Sequence, residues 1–458
     1  MKIVIVGGGK VGEFLCTALS TEGNDVVLIE ANSRILDRIT NKTDIIGIVG
    51  NGANYDVLIE AAVSECDIFI AVTEKDEINM ISSIIAKKLG AKNTILRVRN
   101  QEYSSHMDFV QKSLGLTMMI NPELEAAKHM ANLIKFPSAL SVESFVNGRV
   151  SMVEMEIGEN SSLIDISLID FKNHYKNIMV MIVLREETAF IPSGDAVLKK
   201  GDRIYVTGAQ KHLNKFYKAV GTYKEKIKSV LIIGGGRITY YLLTLLAPSN
   251  LDIKVIEQNE DKAFELSSHF PEVVVINGDG TDQSFLDEER MEMYDSVISL
   301  TGVDEENVIN SMYAAKKDMK KIITKINRIS LMKILGSVGL QSIVTPKRII
   351  ANSIIRFVRS LENSQGSNVE ALYRLADDQI EVLQFRVKEN SRIINIPLHE
   401  LNTKNNLLIA YIIRKKKVIF ASGEDVIKPK DHVIVVSTQR TFNDIDDIWE
   451  SKKVKKNE

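Results

Sequence analysis

The sequence has few cysteines and no long apolar run, and both absences exclude whole classes of protein. Its only two cysteines among 458 residues are Cys16 and Cys66, each within an apolar stretch. Two isolated cysteines supply neither a disulfide framework nor a metal cluster, so we expect buried thiols, a reducing compartment and no metal site. No stretch offers about 18 uninterrupted apolar residues, the length that a membrane-spanning helix needs. The sequence therefore predicts a soluble, cytoplasmic chain that would act on a membrane only through a partner.

The chain also lacks an excess of charge of either sign. Its 58 lysines and arginines nearly balance 60 aspartates and glutamates, for a formal net charge of −2. A protein that wraps nucleic-acid phosphates needs a basic surface, so no nucleic-acid partner is expected. Hydrophobic residues make up 45% of the chain. At about 100–200 residues per domain, the length predicts three or four domains.

The most informative feature that is present is an internal repeat. Each landmark of the first half recurs 224–230 positions later, and this small drift places insertions and deletions in loops. The landmarks, each followed by its counterpart, are residues 7–9 and 234–236, Glu30 and Glu257, residues 50–52 and 278–280, Thr73 and Thr301, Asp76 and Asp304, Glu77 and Glu305, Asn79 and Asn307, Pro122 and Pro346, residues 159–161 and 389–391, and Asp202 and Asp431. We therefore interpret the chain as two tandem copies of one unit.

Each copy is predicted to contain two parts, because the hydrophobic pattern changes after Pro137. The first part alternates short apolar strands with amphipathic helices, which indicates a Rossmann-like, doubly wound parallel sheet. The second part has short strand-like runs separated by turn signals, which indicates a small β-rich α+β domain. The predicted fold class is α/β, and the predicted domains, alternately Rossmann-like and small, are residues 1–136, 137–225, 226–362 and 363–458.

The chain opens with a pattern typical of dinucleotide binding. A short apolar strand leads into Gly7-Gly8-Gly9, a helix follows, and a second strand ends at Glu30. In this order Gly7 makes the tight turn, Gly9 lets backbone approach a pyrophosphate, and Gly12 lets helix and strand pack closely. The helix N-terminus supplies N–H groups for phosphate. The carboxylate would bind an adenosine ribose and repel a 2′-phosphate, which favours NAD or an adenine nucleotide over NADP.

The second copy matches this pattern less well. Gly234 and Gly236 are in register, as is Glu257, but Thr239 stands where the third glycine should be. Its side chain would occupy the place where helix and strand should meet closely. For the first copy, the alternative is a domain that kept its glycines for packing and lost its ligand.

The variable position of each glycine turn carries a cation. This residue is Lys10 in the first copy and Arg237 in the second. Either side chain could reach a phosphate, and either could equally be a solvated loop charge.

Strand ends supply a second group of candidate ligand residues. Ligands of doubly wound sheets bind at the carboxyl ends of the strands. Thr73 and Glu74 follow one predicted strand and Arg97 lies in the next, with Thr301 and Lys325 as counterparts. These strand-end loops are the candidate ligand rim.

Acidic pairs follow the same rim in both copies. Asp76-Glu77 recurs as Asp304-Glu305. Such a pair could bind a cation or cap a helix N-terminus, and capping is the favoured interpretation.

A strongly apolar helix face follows Pro122 and its counterpart Pro346. A helix that leaves the sheet with such a face is expected to pack on another subunit or repeat, the alternative being its own domain. The positions of this face are Leu124, Ala127, Met130, Ala131 and Ile134 in the first copy and Ile349, Ile350, Ser353, Ile354 and Phe357 in the second.

No catalytic constellation accompanies the glycine turns. A dehydrogenase needs a general acid or base near the nicotinamide, yet none of the seven histidines falls at a predicted strand end beside a glycine turn. The Tyr-x-x-x-Lys match from Tyr313 to Lys317 has isoleucine at its counterpart in the first copy, so helix packing is the favoured interpretation. The sequence contains no Cys-x-x-Cys, His-x-x-x-His or Walker A pattern. It therefore predicts no catalytic residue and no enzyme.

These motifs and their duplication resemble the RCK, or KTN, family of proteins that regulate potassium channels and transporters, and within it the tandem peripheral subunits of Trk-type potassium uptake. The resemblance covers nearly the whole chain, and duplication at matching length makes it specific. It is carried by Gly7-x-Gly9-x-x-Gly12 at the start of the chain, Glu30, residues 50–52, Thr73, Asp76, Glu77, Asn79 and residues 95–99.

The resemblance implies a function. Similar proteins bind NAD(H) or adenine nucleotides (ATP, ADP) and form a homo-oligomeric ring, expected here to be a tetramer. As peripheral cytoplasmic subunits on the inner face of the cell membrane, they gate an integral membrane potassium-translocating subunit of the Trk type. The implied ligand residues are Gly7, Gly8, Gly9, Lys10, Val11, Gly12, Glu30, Asn51, Gly52, Thr73, Glu74 and Arg97 in the first copy, and Gly234, Gly235, Gly236, Arg237, Ile238, Glu257, Asp279, Thr301 and Lys325 in the second.

Three other functions are alternatives. An NAD-dependent dehydrogenase with a duplicated chain would need a catalytic residue and turnover. A regulator of a potassium channel or efflux antiporter would differ only in its membrane partner, which is another chain. A nucleic-acid-binding repressor with a Rossmann part would need a basic helix-turn-helix, and none is visible in the sequence.

Overall fold

The computed structural model of the chain describes residues 1–450, except 105, 146–149, 318, 329–334, 336–339, 341, 365–368, 377–378, 416, 440–441 and 443. The chain divides into two units, one of Met1–Lys135 with Ile227–Ile355 and one of Phe136–Lys226 with Arg356–Glu458. The first unit holds both Rossmann-like parts and the second holds both small parts. The predicted domain boundary at residue 362 lies inside a helix, Pro346–Ser364.

The first Rossmann-like part alternates strands and helices. In chain order these are β1 (Lys2–Val6), α1 (Lys10–Thr21), β2 (Asp25–Glu30), α2 (Ser33–Thr40), β3 (Ile46–Val49), α3 (Tyr55–Glu60), β4 (Ile68–Ala71), α4 (Asp76–Leu89), β5 (Asn93–Arg97), α5 (Gln101–Ser104), α6 (Met107–Ser113), β6 (Met118–Ile120) and α7 (Pro122–Lys135). The six strands form a parallel sheet in the order β3-β2-β1-β4-β5-β6. The strand order reverses between β1 and β4, which is where ligands bind in such sheets.

The sequence of β1 explains its central place. Ile3, Val4, Ile5 and Val6 are all buried. A run of β-branched residues buried on both faces suits a parallel strand that helices cover on both sides.

The first small part is an antiparallel sheet with two helices. It contains β7 (Ser141–Phe145), β8 (Val150–Glu156), α8 (Leu168–His174), β9 (Met179–Arg185), β10 (Thr188–Phe190), β11 (Arg203–Gly208) and α9 (Gln210–Ala219). Its strand order is β10-β9-β11-β8-β7.

The second Rossmann-like part repeats the topology of the first. Its elements are β12 (Ser229–Ile233), α10 (Arg237–Leu246), β13 (Asp252–Glu257), α11 (Glu260–His269), β14 (Val274–Asn277), α12 (Gln283–Glu288), β15 (Ser296–Ser299), α13 (Asp304–Lys316), β16 (Lys321–Lys325), β17 (Ile343–Val344) and α14 (Pro346–Ser364). The strand order β14-β13-β12-β15-β16-β17 is that of the first repeat. The predicted fold class, with two tandem Rossmann-like sheets, is confirmed.

The second small part is again an antiparallel sheet. It contains β18 (Val369–Leu375), β19 (Ile380–Arg386), β20 (Leu407–Arg414), β21 (Lys417–Phe420) and β22 (His432–Ser437). The strand order is β18-β19-β22-β20-β21. The two small sheets share one hydrophobic core, in which Ile182 and Tyr205 of the first meet Val382 and Tyr411 of the second.

Helix α7 connects the two Rossmann-like parts of the first unit. It packs against α10 of the second repeat, and its Ala127, Met130 and Ala131 are buried. Next to its start, the side-chain amide of Asn121 donates to the hydroxyl of Tyr241 at 2.9 Å. The expectation that this helix packs outside its own domain is confirmed, with the second repeat of the same chain as its partner. None of the helices in the described part of the chain is both long and apolar enough to cross a bilayer.

Candidate functional site

The first glycine turn lies between β1 and α1, and each of its glycines meets a different steric demand. Gly7 has φ of +102°, and a Cβ there would lie 2.9 Å from the backbone nitrogen of Thr73. A Cβ on Gly12 would lie 1.9 Å from the carbonyl oxygen of Gly7, whereas a Cβ on Gly9 would meet nothing within 4 Å. Gly7 and Gly12 are thus needed for the fold, and Gly9 leaves the turn open to a ligand.

The helix that follows this turn begins without a side-chain cap. Its N-cap residue is Gly9, whereas α2 and α3 begin at Asn32 and Asn54, whose side chains accept backbone N–H groups. Helix α10 in the second repeat likewise begins at Gly236 without a side-chain cap. The first N–H groups of α1 and α10 are therefore left for a bound anion.

A carboxylate from the second strand of each repeat is fixed beside its glycine turn. Glu30 Oε2 accepts from Gly8 N at 2.5 Å, and its Oε1 accepts from Asn32 N at 2.9 Å. In the second repeat, Glu257 accepts from Gly235 N at 2.6 Å and from the equivalent asparagine N–H at 2.8 Å. Each oxygen keeps a second lone pair for a ribose hydroxyl.

Thr239 does not disrupt the close packing of helix and strand at the second glycine turn. Its side chain is fully buried, and its hydroxyl donates to the carbonyl oxygen of Gly234. That carbonyl is the counterpart of the one on Gly7 that leaves no room for a Cβ on Gly12. The threonine replaces a close backbone contact with a hydrogen bond, and the turn keeps its left-handed glycine, since Gly234 has φ of +104°.

The rim of the first site is organised by an asparagine that the sequence interpretation did not assign to the site. Asn79 is fully buried. Its Oδ1 accepts from Thr73 N at 2.8 Å and from the Thr73 hydroxyl at 2.7 Å. Its Nδ2 donates to the carbonyl oxygens of Thr73 and Arg97 at 3.1 and 3.0 Å. One side chain thus ties together the ends of β4 and β5.

The second rim repeats three of these four bonds. Asn307 accepts from Thr301 N at 2.8 Å and donates to the carbonyl oxygens of Thr301 and Lys325 at 3.2 and 3.1 Å. The signal was present in the sequence, because Thr73 and Asn79 recur together at one offset.

A half-buried cation lies at each rim. Arg97 donates through Nη2 to the carbonyl oxygen of Thr73, and Lys325 donates to that of Thr301 at 2.7 Å. Burial lowers the pKa of Arg97 and that of Lys325. Arg97 Nε is buried and has no hydrogen-bond partner within the described residues.

Several other predicted ligand residues serve the fold in the structure. Val11 and Ile238 are buried in the core. Asn51 accepts from Ala53 N at 3.0 Å within its own turn. A Cβ on Gly52 would lie 2.1 Å from Val6 Cγ1, so this glycine lets the loop pack on β1.

Asp279, the counterpart of Asn51, accepts from Thr281 N at 2.9 Å. The hydrogen bonds from Thr281 lower the pKa of its carboxyl group. By contrast, Lys10, Arg237 and Glu74 are exposed at their turns. Their assignment as ligand residues stays a prediction.

The capping interpretation of the repeated acidic pairs is wrong. The N-cap positions of α4 and α13 are Lys75 and Val303, and neither provides a side-chain cap. Asp76 Oδ2 instead accepts from the backbone N–H groups of Arg99 and Asn100 at 2.8 and 2.7 Å. The carboxylate therefore orders the loop after β5.

Tyr313 connects two helices. Its hydroxyl lies 2.7 Å from both carboxylate oxygens of Asp287 in α12, and Lys317 donates to the same carboxylate at 3.0 Å. The hydrogen bond to Asp287 raises the pKa of Tyr313. Because these partners lie away from the glycine turns, the helix-packing interpretation agrees with the geometry.

A cavity of about 600 Å³ opens beside the second glycine turn. It is lined by residues of both repeats. They are Arg99, Asn100, Gln101 and Glu123 of the first repeat and Gly235, Gly236, Arg237, Ile238, Thr239, Tyr240, Lys262, Glu265, Leu266, Leu300 and Lys325 of the second. Sequence reasoning missed Arg99 and Glu123, because only the packing of the two repeats brings them to this turn.

Comparison with protein families matches all four predicted parts. Residues 3–122 and 230–346 match the family model of the TrkA-N domain. Residues 152–221 and 382–448 match that of the TrkA-C domain.

Relatives match over their whole length. The Trk system potassium uptake protein TrkA homolog 1 of Methanosarcina mazei is 30% identical, over 97% of this chain and 99% of its own. The Trk system potassium uptake protein TrkA of Haemophilus influenzae is 28% identical, over 98% of this chain and 99% of its own.

Solved structures share the fold. The RCK domain of GsuK covers 95% of this chain and 92% of its own, with a TM-score of 0.62 and 14% identity. The GsuK channel bound to NAD covers 95% of this chain and 76% of its own, with a TM-score of 0.61 and 15% identity.

Proposed function

Because the chain belongs to the TrkA family of potassium-uptake proteins, we propose that it is a nucleotide-sensing regulatory subunit that gates a membrane potassium-uptake subunit. The observation that carries the proposal is the pair of open glycine turns, each beside a fixed carboxylate. Gly9 and Gly236 face open space, while Glu30 and Glu257 are held next to them by backbone N–H groups. The full-length relatives named as Trk potassium uptake proteins support the transport role.

The ligands that suit these sites are NAD(H) and the adenine nucleotides ATP and ADP. The N–H groups at the start of α1 would bind the pyrophosphate. Glu30 would accept from the hydroxyls of the ribose, and a 2′-phosphate would be repelled by the same carboxylate. Thr73 and Arg97 at the rim lie where the far half of a dinucleotide would extend.

The proposed role is binding without catalysis. Hydride transfer needs a proton donor or acceptor at the nicotinamide. Tyr240 lines the second cavity, but its ring belongs to an aromatic cluster with Tyr241, His269 and Phe270, with centroids 5.2–5.8 Å apart. The rim residues Asn79 and Asn307 have no acid–base function. This geometry favours a sensor over a dehydrogenase.

Gating would follow from a population shift. A nucleotide must bind one assembly state more tightly than the other, and moving an equilibrium from about 1:99 to 99:1 needs about 5.5 kcal/mol of differential binding. We infer a tetrameric ring, in which eight such sites could share this energy. The ring would sit under its membrane subunit on the cytoplasmic side.

Calorimetric titration of the purified chain with NAD⁺, NADH, ATP and ADP tests the binding. Gly9→Asp places a carboxylate at the open approach to the turn, and Glu30→Ala removes the ribose acceptor. Gly158→Asp is the matched control, because Gly158 also has open space around it and lies in the small part. We expect saturable binding that the first two changes weaken and the control does not. Absence of binding by all four ligands, or turnover of NADH, would refute the sensor.

The partner and assembly need separate tests. Light scattering after size exclusion should give a mass of about four 51.3 kDa chains, and a monomer would contradict the ring. Rubidium uptake into vesicles with a Trk-type membrane subunit should depend on this chain and on nucleotide. Uptake that the chain leaves unchanged would favour another membrane partner, such as a channel or an efflux antiporter.

A further inference from the structure

The second nucleotide cavity is not built by the second repeat alone. Gly235, Gly236 and Arg237 form one wall, and Arg99 and Glu123 of the first repeat form another, around about 600 Å³. Ligand pockets for small molecules commonly measure about 300–1,000 Å³. A nucleotide in this cavity would therefore contact both repeats.

The first-repeat wall is held in place by hydrogen bonds. Asp76 Oδ2 fixes the backbone of Arg99 and Asn100 at 2.8 and 2.7 Å. Asn121, two residues before Glu123, donates to the hydroxyl of Tyr241 at 2.9 Å. The wall is thus fixed both to its own strand ends and to α10, the helix whose N-terminus faces the cavity.

The guanidinium of Arg99 is oriented by Glu123. Arg99 Nε donates to Glu123 Oε1 at 2.7 Å. Glu123 is only 8% exposed, and its Oε2 is buried with no hydrogen-bond partner among the residues that the structure describes. Within that same part of the chain, no hydrogen bond engages Nη1 or Nη2 of Arg99. An oriented guanidinium with two available nitrogens matches the geometry of a phosphate group.

The charge of the cavity favours an anionic ligand. Four cationic side chains line it against two carboxylates, which gives a net charge of +2. The cations are Arg99, Arg237, Lys262 and Lys325, and the carboxylates are Glu123 and Glu265. This balance suits the phosphates of a nucleoside diphosphate or triphosphate.

We propose that Arg99 of the first repeat binds a phosphate oxygen of the nucleotide held by the second repeat, with Glu123 as its positioning residue. This inference rests on the proposed function, because it requires that the second site takes a nucleotide. The nucleotide then bridges the two repeats, and its phosphates contact Arg99, which lies 138 positions before Arg237 in the sequence.

The first site lacks this arrangement. The counterpart of Arg99 is Asn327, which uses its backbone N–H and side-chain amide to bind Asp304 at 2.8 and 2.9 Å. The counterpart of Glu123 is Lys347. The proposal therefore applies to the second site only, and the first site serves as an internal comparison.

The test is calorimetry on the full chain carrying Gly9→Asp, which blocks the first site so that only binding at the second site is measured. ADP, ATP and adenosine are titrated into this chain and into the same chain with Arg99→Gln, Arg99→Lys or Glu123→Gln. Arg392→Gln is the matched control, because Arg392 is exposed in the small part and its loss changes the net charge equally. Adding Gly236→Asp must abolish the signal if it comes from the second turn.

We expect Arg99→Gln to lower the affinity for ADP and ATP at least tenfold, the effect of about one charge-assisted hydrogen bond. The affinity for adenosine should not change. Arg99→Lys and Glu123→Gln should cause smaller losses with the same preference for phosphorylated ligands. Equal ADP affinity for Arg99→Gln and Arg392→Gln would overturn the role of Arg99 and leave the sensor intact. No binding by the Gly9→Asp chain would instead remove the second site from the proposed function.

Discussion

The two Rossmann-like repeats hold their glycine turns with the same hydrogen bonds. Glu30 and Glu257 accept from the middle glycine of each turn at 2.5 and 2.6 Å. Asn79 and Asn307 each accept from a threonine N–H at 2.8 Å. These bonds involve backbone groups whose positions the fold dictates, so a substitution at any of these side chains would leave a buried donor without a partner.

The groups that face the opposite repeat have diverged. Arg99 and Glu123 face the second site, while their counterparts are Asn327 and Lys347. The third glycine of the turn has become Thr239. The comparison indicates that the two repeats share the scaffold of the site while the charges between the repeats differ, so the proposal above predicts different preferences for phosphates at the two sites.

The largest expected effect comes from giving the first turn a branched side chain. Gly12→Val puts a Cβ where the structure leaves 1.9 Å to the carbonyl oxygen of Gly7. We expect a loss of about 3 kcal/mol in stability of the first repeat, typical of severe overpacking. Thr239→Gly should cost only about 1 kcal/mol, because it removes one hydrogen bond and a better helix former. Thermal unfolding followed by circular dichroism measures both changes.

Gly9→Ala is the matched control for this experiment, because a Cβ on Gly9 meets nothing within 4 Å. An equal, small effect of Gly12→Val and Gly9→Ala would show that the first turn can relax as the second has done.

The next largest effect is expected at the two rim asparagines. Asn79→Ala and Asn307→Ala each leave a threonine N–H without its acceptor, and each should cost about 2 kcal/mol. Amide hydrogen exchange at the ends of β4 and β15 measures the loss separately in each repeat. Asn160→Ala, at an exposed position, should change neither. A large loss in one repeat only would contradict the shared scaffold.

Much of this scaffold could be predicted from the sequence. The glycine turns, Glu30 and Glu257 follow from a local pattern in which a short apolar strand, a glycine turn and a helix come in order. The repeat offset predicted the second sheet, and its strand order agrees with that of the first. These features depend on residues close together in the chain, for which spacing alone is informative.

The contacts between the repeats could not be predicted in this way. Arg99 and Glu123 reach the second site through the packing of α7 on α10, and no local pattern encodes that distance. The sequence suggested capping for Asp76, but the carboxylate binds the loop after β5, because β4 and β5 are neighbours in the sheet.

The next prediction concerns the pH dependence of ADP affinity at the first site. Burial, followed by the nearby ammonium of Lys10, lowers the pKa of Lys347 from 10.5 to about 8, while Asp304 opposes the shift and Lys325 adds to it. Lys347 therefore loses its charge as the pH rises from 7 to 9. On a Gly236→Asp chain, in which only the first site reports, ADP affinity should fall up to about tenfold over this range, since one charged hydrogen bond is lost.

In the ligand-free chain, the effect of Lys347 on stability has the opposite sign to its effect on ADP affinity. Between about pH 8 and 10.5 the folded state binds fewer protons at Lys347 than the unfolded state, so the contribution of this lysine to stability rises with pH. Lys347→Gln should abolish the pH dependence of ADP binding at the first site. The second site has Glu123 at this position and Lys325 in its lining, so Lys347→Gln should leave the pH dependence of ADP binding there unchanged. An equal change at both sites would remove Lys347 as a cause specific to the first site.

The smallest expected effect concerns the hydrogen bond that joins the repeats. The hydroxyl of Tyr241 accepts from the side-chain amide of Asn121 at 2.9 Å, and its counterpart in the first repeat is Phe14, which has no hydroxyl. Tyr241→Phe should cost about 1 kcal/mol, the usual net value of one hydrogen bond. Because Asn121 also bonds Ser104 at 2.6 Å, its amide keeps a partner and the loss should not exceed this value. Thermal unfolding measures the cost.

The informative readout is how this change acts on the two sites. Loosening the wall that carries Arg99 should lower the affinity for ADP at the second site a few-fold, since about 1 kcal/mol corresponds to about fivefold in affinity. The first site contains no corresponding bond, so its ADP affinity should not change. Tyr223→Phe, at an exposed position of the first small part, is the control for removal of a hydroxyl. If Tyr241→Phe weakened both sites equally, the hydroxyl would act on the whole unit, and the asymmetry between the repeats would not extend to their interface.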